Sequence, residues 1–143
     1  MTIDQLSVFV ENRKGHLLEA AECLTAGGVD IRALSLADTA DYGILRLVVD
    51  DPAKAMECLR AAGMTARLTK VLAVRMPDEP GGLCRILEVL GGADIGIEYA
   101  YAFVARQAKA AVAVLRVSDD AAASAALEGA NISLLSPEDM AAL

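Results

Sequence analysis

Apolar and polar residues in this chain follow two spacings, one typical of strands and one typical of helices. The order of these spacings repeats once. Alternation over residues 6–10 predicts a strand. Apolar residues then recur at 17, 20, 21 and 24, the i, i+3, i+4, i+7 spacing of an amphipathic helix. Glycines at 27 and 28 end that helix, because glycine readily takes the left-handed conformation of a helix C-cap.

The other segments complete the same order of elements in both halves of the chain. Asp51 as N-cap and Pro52 at the first helical position mark a second helix start. The predicted strands are residues 6–10, 29–37, 44–49 and a short one from 65 in the first half, and 72–76, 95–103, 111–117 and 132–135 in the second. The predicted helices are residues 15–26, 51–62, 81–90 and 120–127.

An internal repeat supports this division. Residues 8–31 align with residues 74–97 at a constant offset of 66, which places Gly15 on Gly81 and Leu24 on Leu90. The match resumes with residues 45–51 over 115–120, which begins at an offset of 70. The additional residues fall in 105–110, a polar stretch that predicts a longer hairpin connection. We therefore expect two duplicated units, residues 1–69 and 70–143, since a solenoid needs three or more repeats.

The order β-α-β-β-α-β is that of a ferredoxin-like unit, with both helices on one face of a four-stranded antiparallel sheet. The predicted fold class is therefore α+β, with two such units. One larger α+β domain is the alternative. A unit of this size buries little surface alone, and its second sheet face is bare. The two units are thus expected to cover or extend each other, and the protein to form a homodimer or a larger even oligomer.

The second strand of each unit carries a more detailed prediction. In the first copy the apolar phase slips after Ile31, and a β-bulge near Arg32 would account for the slip. A similar bend in the second copy would turn two alanines, Ala100 and Ala102, toward the helices. Three rings would then face the bare side of the sheet: Tyr99, Tyr101 and Phe103. In an unbulged strand the rings would lie in the core instead.

Charge and composition exclude several function classes. The net charge is −7, with no cluster of Lys or Arg, so nucleic acid and anionic membrane surfaces are unsuitable partners. The apolar runs are shorter than the ~20 residues of a membrane span, and the first residues lack the features of a signal peptide. We therefore expect a cytoplasmic protein.

Chemistry-bearing residues are few. The three cysteines, Cys23, Cys58 and Cys84, are widely spaced, and His16 is the single histidine, so no metal site and no cofactor are expected. No nucleophile and base pair and no phosphate-cradling motif occurs, so we do not expect an enzyme. What remains is the glycine-containing turn before the first helix of each copy. A helix N-terminus offers free N–H groups that suit a carboxylate or phosphate, although a tight turn alone would also need glycine.

The stretch DEPGGLCRILEVLGGADIGIEY, residues 78–99, resembles the start of an ACT domain. Such domains typically combine an acidic residue, Pro-Gly, a leucine-patterned helix, and a glycine before an Ile/Val-Asn-Ile strand. The first copy is a weaker match, with Lys14 where proline is usual. The resemblance covers nearly the whole chain as a tandem pair. It implies a protein that senses small molecules, commonly amino acids, bound where the β1–α1 loop of one domain meets strand residues of its partner.

The resemblance also supplies candidate ligand-binding residues. They are Asn12, Arg13, Lys14, Gly15, His16, Leu17, Asp30 and Ile31 in the first copy, and Asp78, Glu79, Pro80, Gly81, Gly82, Leu83, Asp94 and Ile95 in the second. Asp30 and Asp94 stand where the family often has Asn. The first loop is cationic and the second acidic, which fits the two groups of a zwitterionic amino acid. The residues leave open which loop binds. They also leave open a second function, that of a regulatory subunit or adaptor docking on an amino-acid or ketoacid enzyme.

Overall fold

The computed structural model describes residues 1–38, 41–105 and 110–143, which divide into two compact units. The N-terminal unit is Asp4–Thr69, and the C-terminal unit comprises Lys70–Leu143 together with Met1–Ile3. The elements in chain order are β1 (Ile3–Glu11), α1 (His16–Ala26), β2 (Ile31–Asp38), β3 (Tyr42–Val49), α2 (Pro52–Ala61), β4 (Ala66–Pro77), α3 (Gly82–Gly92), β5 (Ile97–Ala105), β6 (Ala110–Val117), α4 (Asp120–Gly129) and α5 (Pro137–Ala141).

In the N-terminal unit β3 lies between β2 and β1 and is antiparallel to both. The start of β4 lies beside β1, where Phe9 N–H donates to the carbonyl of Thr65 at 2.9 Å. Alternate residues of β1, among them Leu6 and Val8, pack against α1 and α2 on one face of the sheet. The resulting core consists of Leu6, Val8, Val10, Ala20, Leu24, Val29, Leu45, Leu47, Val49, Ala55, Met56 and Leu59.

In the C-terminal unit β6 lies between β4 and β5 and is antiparallel to both. Leu72 and Val74 of β4 pack against α3 and α4, as their counterparts in β1 pack against α1 and α2. This core consists of Leu72, Val74, Ile86, Leu90, Ile95, Ala113, Leu115, Val117, Ala123, Leu127 and Ile132. The predicted fold class, two ferredoxin-like units with antiparallel sheets and helices on one face, is confirmed.

The last predicted strand, residues 132–135, is wrong as an extended strand. It contributes a single bridge, Leu134 opposite Val74. The chain turns away at Ser136, which caps α5: its hydroxyl accepts from Asp139 N–H, and the Asp139 carboxylate accepts from Ser136 N–H. This capping box and Pro137 start a short helix at once, so the strand cannot continue.

Two other predicted boundaries change or lie outside the description. The strands predicted from residue 65 and over 72–76 form one element, β4, which begins in the N-terminal unit and ends in the C-terminal unit. The hairpin connection predicted at 105–110 lies outside the described residues over 106–109, as does part of the turn at 38–43, over 39–40.

The predicted bulges are present in both copies. The register of β2 shifts between Ile31 and Ala33, and that of β5 shifts between Ile97 and Tyr99. Beyond the second shift Ala100 lies opposite the core residue Leu115, on the helix side. The rings of Tyr99, Tyr101 and Phe103 therefore lie on the other face, as predicted.

Candidate functional site

Both units turn from their first strand into a helix through a glycine in the left-handed region. Gly15 has φ 87° and Gly81 has φ 91°, and each is the N-cap of the helix that follows. A side chain at either position would meet open space, so glycine is needed for its backbone conformation rather than for room. Neither helix has a side chain that caps its first N–H groups. The first N–H of each helix donates to a loop carbonyl, His16 to Arg13 at 3.3 Å and Gly82 to Glu79 at 3.1 Å. The donors that suit a carboxylate are therefore the N–H groups of the two residues that follow.

Gly82 is needed for a different reason. It is the first residue of α3 and is buried, and a Cβ there would collide with the carbonyl oxygen of Pro77. The end of β4 and the start of α3 thus approach more closely than any other residue type allows.

A cavity of about 460 Å³ lies at this loop, within the C-terminal unit. Four of the sequence-predicted residues line it: Glu79, Pro80, Gly81 and Gly82. The other lining residues are Arg75, Met76, Pro77, Arg85, Ile86, Ala110, Asn131, Ile132 and Ser133. Asp78 and Leu83 are exposed and are not among the lining residues.

Arg85 contributes a cationic hydrogen-bond donor to this cavity. One of its terminal nitrogens donates to the carbonyl of Ala130 at 3.1 Å, beyond the end of α4. Within the described chain Arg85 forms no ion pair, although Glu79 lines the same cavity. A cationic donor and an anionic acceptor thus line one cavity with their charges unpaired. The loop motif did not indicate Arg85. The internal repeat could have done so, because at the offset of 66 Arg85 aligns with Glu19 and Glu79 aligns with Arg13, so that the two charges are exchanged between the copies.

The equivalent cavity of the N-terminal unit is smaller, about 250 Å³. Its lining residues are Phe9, Val10, Glu11, Arg13, His16, Glu19, Tyr42, Ala62, Gly63, Met64 and Thr65. Of the sequence-predicted residues Arg13 and His16 belong to this lining, whereas Asn12, Lys14, Gly15 and Leu17 do not. The rings of Phe9 and Tyr42 stand 5.8 Å apart, centroid to centroid.

Arg13 is paired in this cavity. Its two terminal nitrogens each donate to one carboxylate oxygen of Glu19 at 3.1 Å, and its Nε donates to Glu11 at 3.1 Å. The hydrogen bond from Arg13 lowers the pKa of Glu19, and the same bond raises the pKa of Arg13. We call these three residues, Glu11, Arg13 and Glu19, the Arg13 clamp.

His16 is a structural residue of the same loop. It is only 8% exposed, and its Nδ1 accepts the backbone N–H of Glu11 at 2.6 Å. An Nδ1 that accepts leaves the ring proton on Nε2. The imidazole therefore satisfies a backbone donor that β1 leaves unpaired at its end.

The remaining predicted residues lie at the far end of the first helix of each unit. Asp30 forms an ion pair with Arg32 at 3.1 Å. Asp94 follows α3 directly and has a positive φ of 57°. Ile31 packs against one core and Ile95 lies in the other. An eleven-residue helix is about 16 Å long, so within one unit these residues are distant from the loop.

No group of three or more His, Cys, Asp or Glu among the described residues could hold a metal ion. None of the helices in that part of the chain is long and apolar enough to cross a membrane.

Comparison with known proteins gives a family and a fold. The family model described as an ACT domain pair matches residues 1–143. A protein of solved structure from Bacteroides thetaiotaomicron is 34% identical; the match covers 100% of this chain and 98% of that one, with a TM-score of 0.94. The ligand-free regulatory subunit of aspartate kinase from Thermus thermophilus has the same fold at 15% identity, with 90% of each chain covered and a TM-score of 0.65. The corresponding subunit from Thermus flavus gives 15% identity, coverage of 90% and 92%, and a TM-score of 0.60. No curated protein matches the sequence.

Proposed function

Because this chain belongs to the ACT domain pair family, whose members are regulatory rather than catalytic domains that bind small ligands, we propose that it is a cytoplasmic regulatory protein that binds an amino acid. We place the ligand in the C-terminal cavity, at the loop that opens α3.

The observation that carries this proposal is the unpaired Arg85 facing the same cavity as Glu79. A free amino acid carries a carboxylate and an ammonium group. A guanidinium binds a carboxylate through two parallel hydrogen bonds, and the N–H groups of the second and third residues of α3 add donors of the same polarity. Glu79 accepts from the ammonium group. The volume of about 460 Å³ falls in the range of small-molecule sites.

Binding can be tested by a thermal-shift screen of the twenty amino acids followed by calorimetry. A ligand that binds only the folded state must raise the melting temperature. Arg85→Glu should weaken binding by roughly 10- to 100-fold, since a charged hydrogen bond contributes about 1.5–3 kcal/mol. Arg60→Glu, an exposed arginine of α2 outside both cavities, is the matched control and should bind as the wild type does. Equal affinity in all three proteins would contradict the placement of the site.

We also propose that the protein is a homodimer. Support comes from β2, the outer strand of the N-terminal sheet, where Leu34 is 60% exposed and Leu36 46%. Light scattering at micromolar concentration should give twice the 14.9 kDa chain mass. Leu34→Lys should shift the result toward the monomer, and a monomeric wild type would refute the proposal.

A second function, docking on an amino-acid or ketoacid enzyme, is favoured by a different surface. Leu83 and Leu87 stand one turn apart on α3, 45% and 41% exposed. An exposed i, i+4 leucine pair suits a partner helix or groove. If no amino acid stabilises the wild type, this function becomes the better account. It then requires that Leu83→Lys with Leu87→Lys abolish co-purification with one identified enzyme.

A further inference from the structure

The N-terminal cavity already contains a cation of its own. The guanidinium of Arg13 is bound by both oxygens of Glu19 and by one oxygen of Glu11, all at 3.1 Å. Most exposed ion pairs are weak and variable, but bidentate pairs and pairs within a network hold their geometry best. The Arg13 clamp meets both conditions.

Three charged residues line the C-terminal cavity, and two of them, Glu79 and Arg85, carry the charges of the Arg13 and Glu19 pair in exchanged positions; the third is Arg75. Glu79 aligns with Arg13, and Arg85 aligns with Glu19. Here the pair is open, because Arg85 is held by the carbonyl of Ala130 instead. The third member of the clamp is also missing, since Pro77 aligns with Glu11. The open cavity has about 460 Å³ and the clamped one about 250 Å³.

We infer that Arg13 is the internal ligand of the N-terminal cavity, so that each chain takes up one zwitterion, in the C-terminal cavity. The ligand class rests on the proposed function; the occupation of the N-terminal cavity by Arg13 does not. A carboxylate entering the N-terminal cavity meets Glu11 and Glu19 and a guanidinium that is already bound. An ammonium group entering it must displace Arg13.

The first test removes the Arg13 side chain from the N-terminal cavity, and its outcome does not depend on the proposed function. Arg13→Ala leaves Glu11 and Glu19 without their cation. Methylguanidinium at millimolar concentration should then shift the NMR amide signals of residues 11–19 in a saturable way, and should not do so in the wild type. Lys14→Ala removes the neighbouring cation, which does not line the cavity, and should behave as the wild type. An Arg13→Ala protein that binds methylguanidinium no better than Lys14→Ala would overturn the inference.

The second test counts bound ligand by calorimetry, with each of the twenty amino acids. The wild type should bind one molecule per chain. In Arg85→Glu all binding should weaken together, because no second, unaffected site remains. Glu22→Arg changes a charge on α1 outside both cavities and should bind one molecule with the affinity of the wild type. Two sites in the wild type, or a site of unchanged affinity in a folded Arg85→Glu protein, would contradict the inference. Absence of any binding to the wild type would refute the proposed function, and the methylguanidinium experiment alone would then decide on the internal ligand.

Discussion

The two loops solve one backbone problem in two ways. In the N-terminal unit Glu11 ends β1 with a backbone N–H that no strand pairs, and the buried His16 accepts it. In the C-terminal unit Pro77 stands at the aligned position and has no N–H to satisfy. The aligned partner of His16 is Gly82, which lets the strand carbonyl approach the helix start. The residues of each pair match only each other. Replacing one residue by its counterpart from the other loop should therefore destabilise the protein.

The largest effect is expected at Gly82. Gly82→Ala places a Cβ against the carbonyl of Pro77, where backbone must move, and should lower the free energy of unfolding by about 1–3 kcal/mol. Gly91→Ala in the same helix is the matched control. It meets open space and removes a poor helix former, so it should stabilise by about 0.5–1 kcal/mol. Urea denaturation measures both, and equal effects would show that the close approach carries no constraint.

His16→Ala should cost about 1–3 kcal/mol, because it removes a buried side chain and leaves the partly buried Glu11 N–H without its acceptor. Adding Glu11→Pro removes that donor, as Pro77 does in the other loop. The double variant should therefore be more stable than His16→Ala alone in the same denaturation experiment. If the second substitution destabilises further by its full individual amount, the two residues do not form a compensating pair.

Substitutions of the two cap glycines separate effects on stability from effects on ligand binding. Gly15→Val and Gly81→Val each force a β-branched residue to a positive φ, at about 1–2 kcal/mol. The two losses should be similar in thermal unfolding. Only Gly81→Val should also weaken amino acid binding in calorimetry, since only its loop borders the open cavity. A matching loss of affinity in Gly15→Val would place the ligand in the N-terminal loop or in both.

The smallest effect concerns pH and is confined to the N-terminal unit. The pKa of Glu19 is lowered by its bond to Arg13, so the clamp is fully formed above the ordinary pKa of glutamate, about 4.5. It is lost as the pH falls through the lowered value. An NMR titration of the Glu19 carboxyl should show this depression, and Arg13→Ala should abolish it. An unchanged titration in the variant would mean that Arg13 does not hold Glu19 in solution.

The local sequence pattern was sufficient to predict most of the fold, because helix spacing, capping residues and the bulge at Arg32 each depend on residues that are close in sequence. It was insufficient for the cavity. Arg85 and Ala130 are 45 residues apart, and their bond depends on how α3 packs beside the end of α4. The short helix α5 was missed for another reason: five residues show no periodicity, although Ser136, Pro137 and Asp139 do form a recognisable helix start.

The strand β4 has a consequence for how this chain can be changed. Residues 66–69 belong to the N-terminal unit and residues 72–77 pair with β6 in the C-terminal unit, and both lie in one continuous strand with no linker between them. An insertion in this segment would shift the side-chain alternation of the strand that follows it. The C-terminal unit also includes Met1–Ile3, so a gene cut after codon 69 separates that unit from part of itself. The two halves are therefore not separable modules. Neither can be excised, fused to a reporter at this junction or exchanged for a homologous half without also changing the other half.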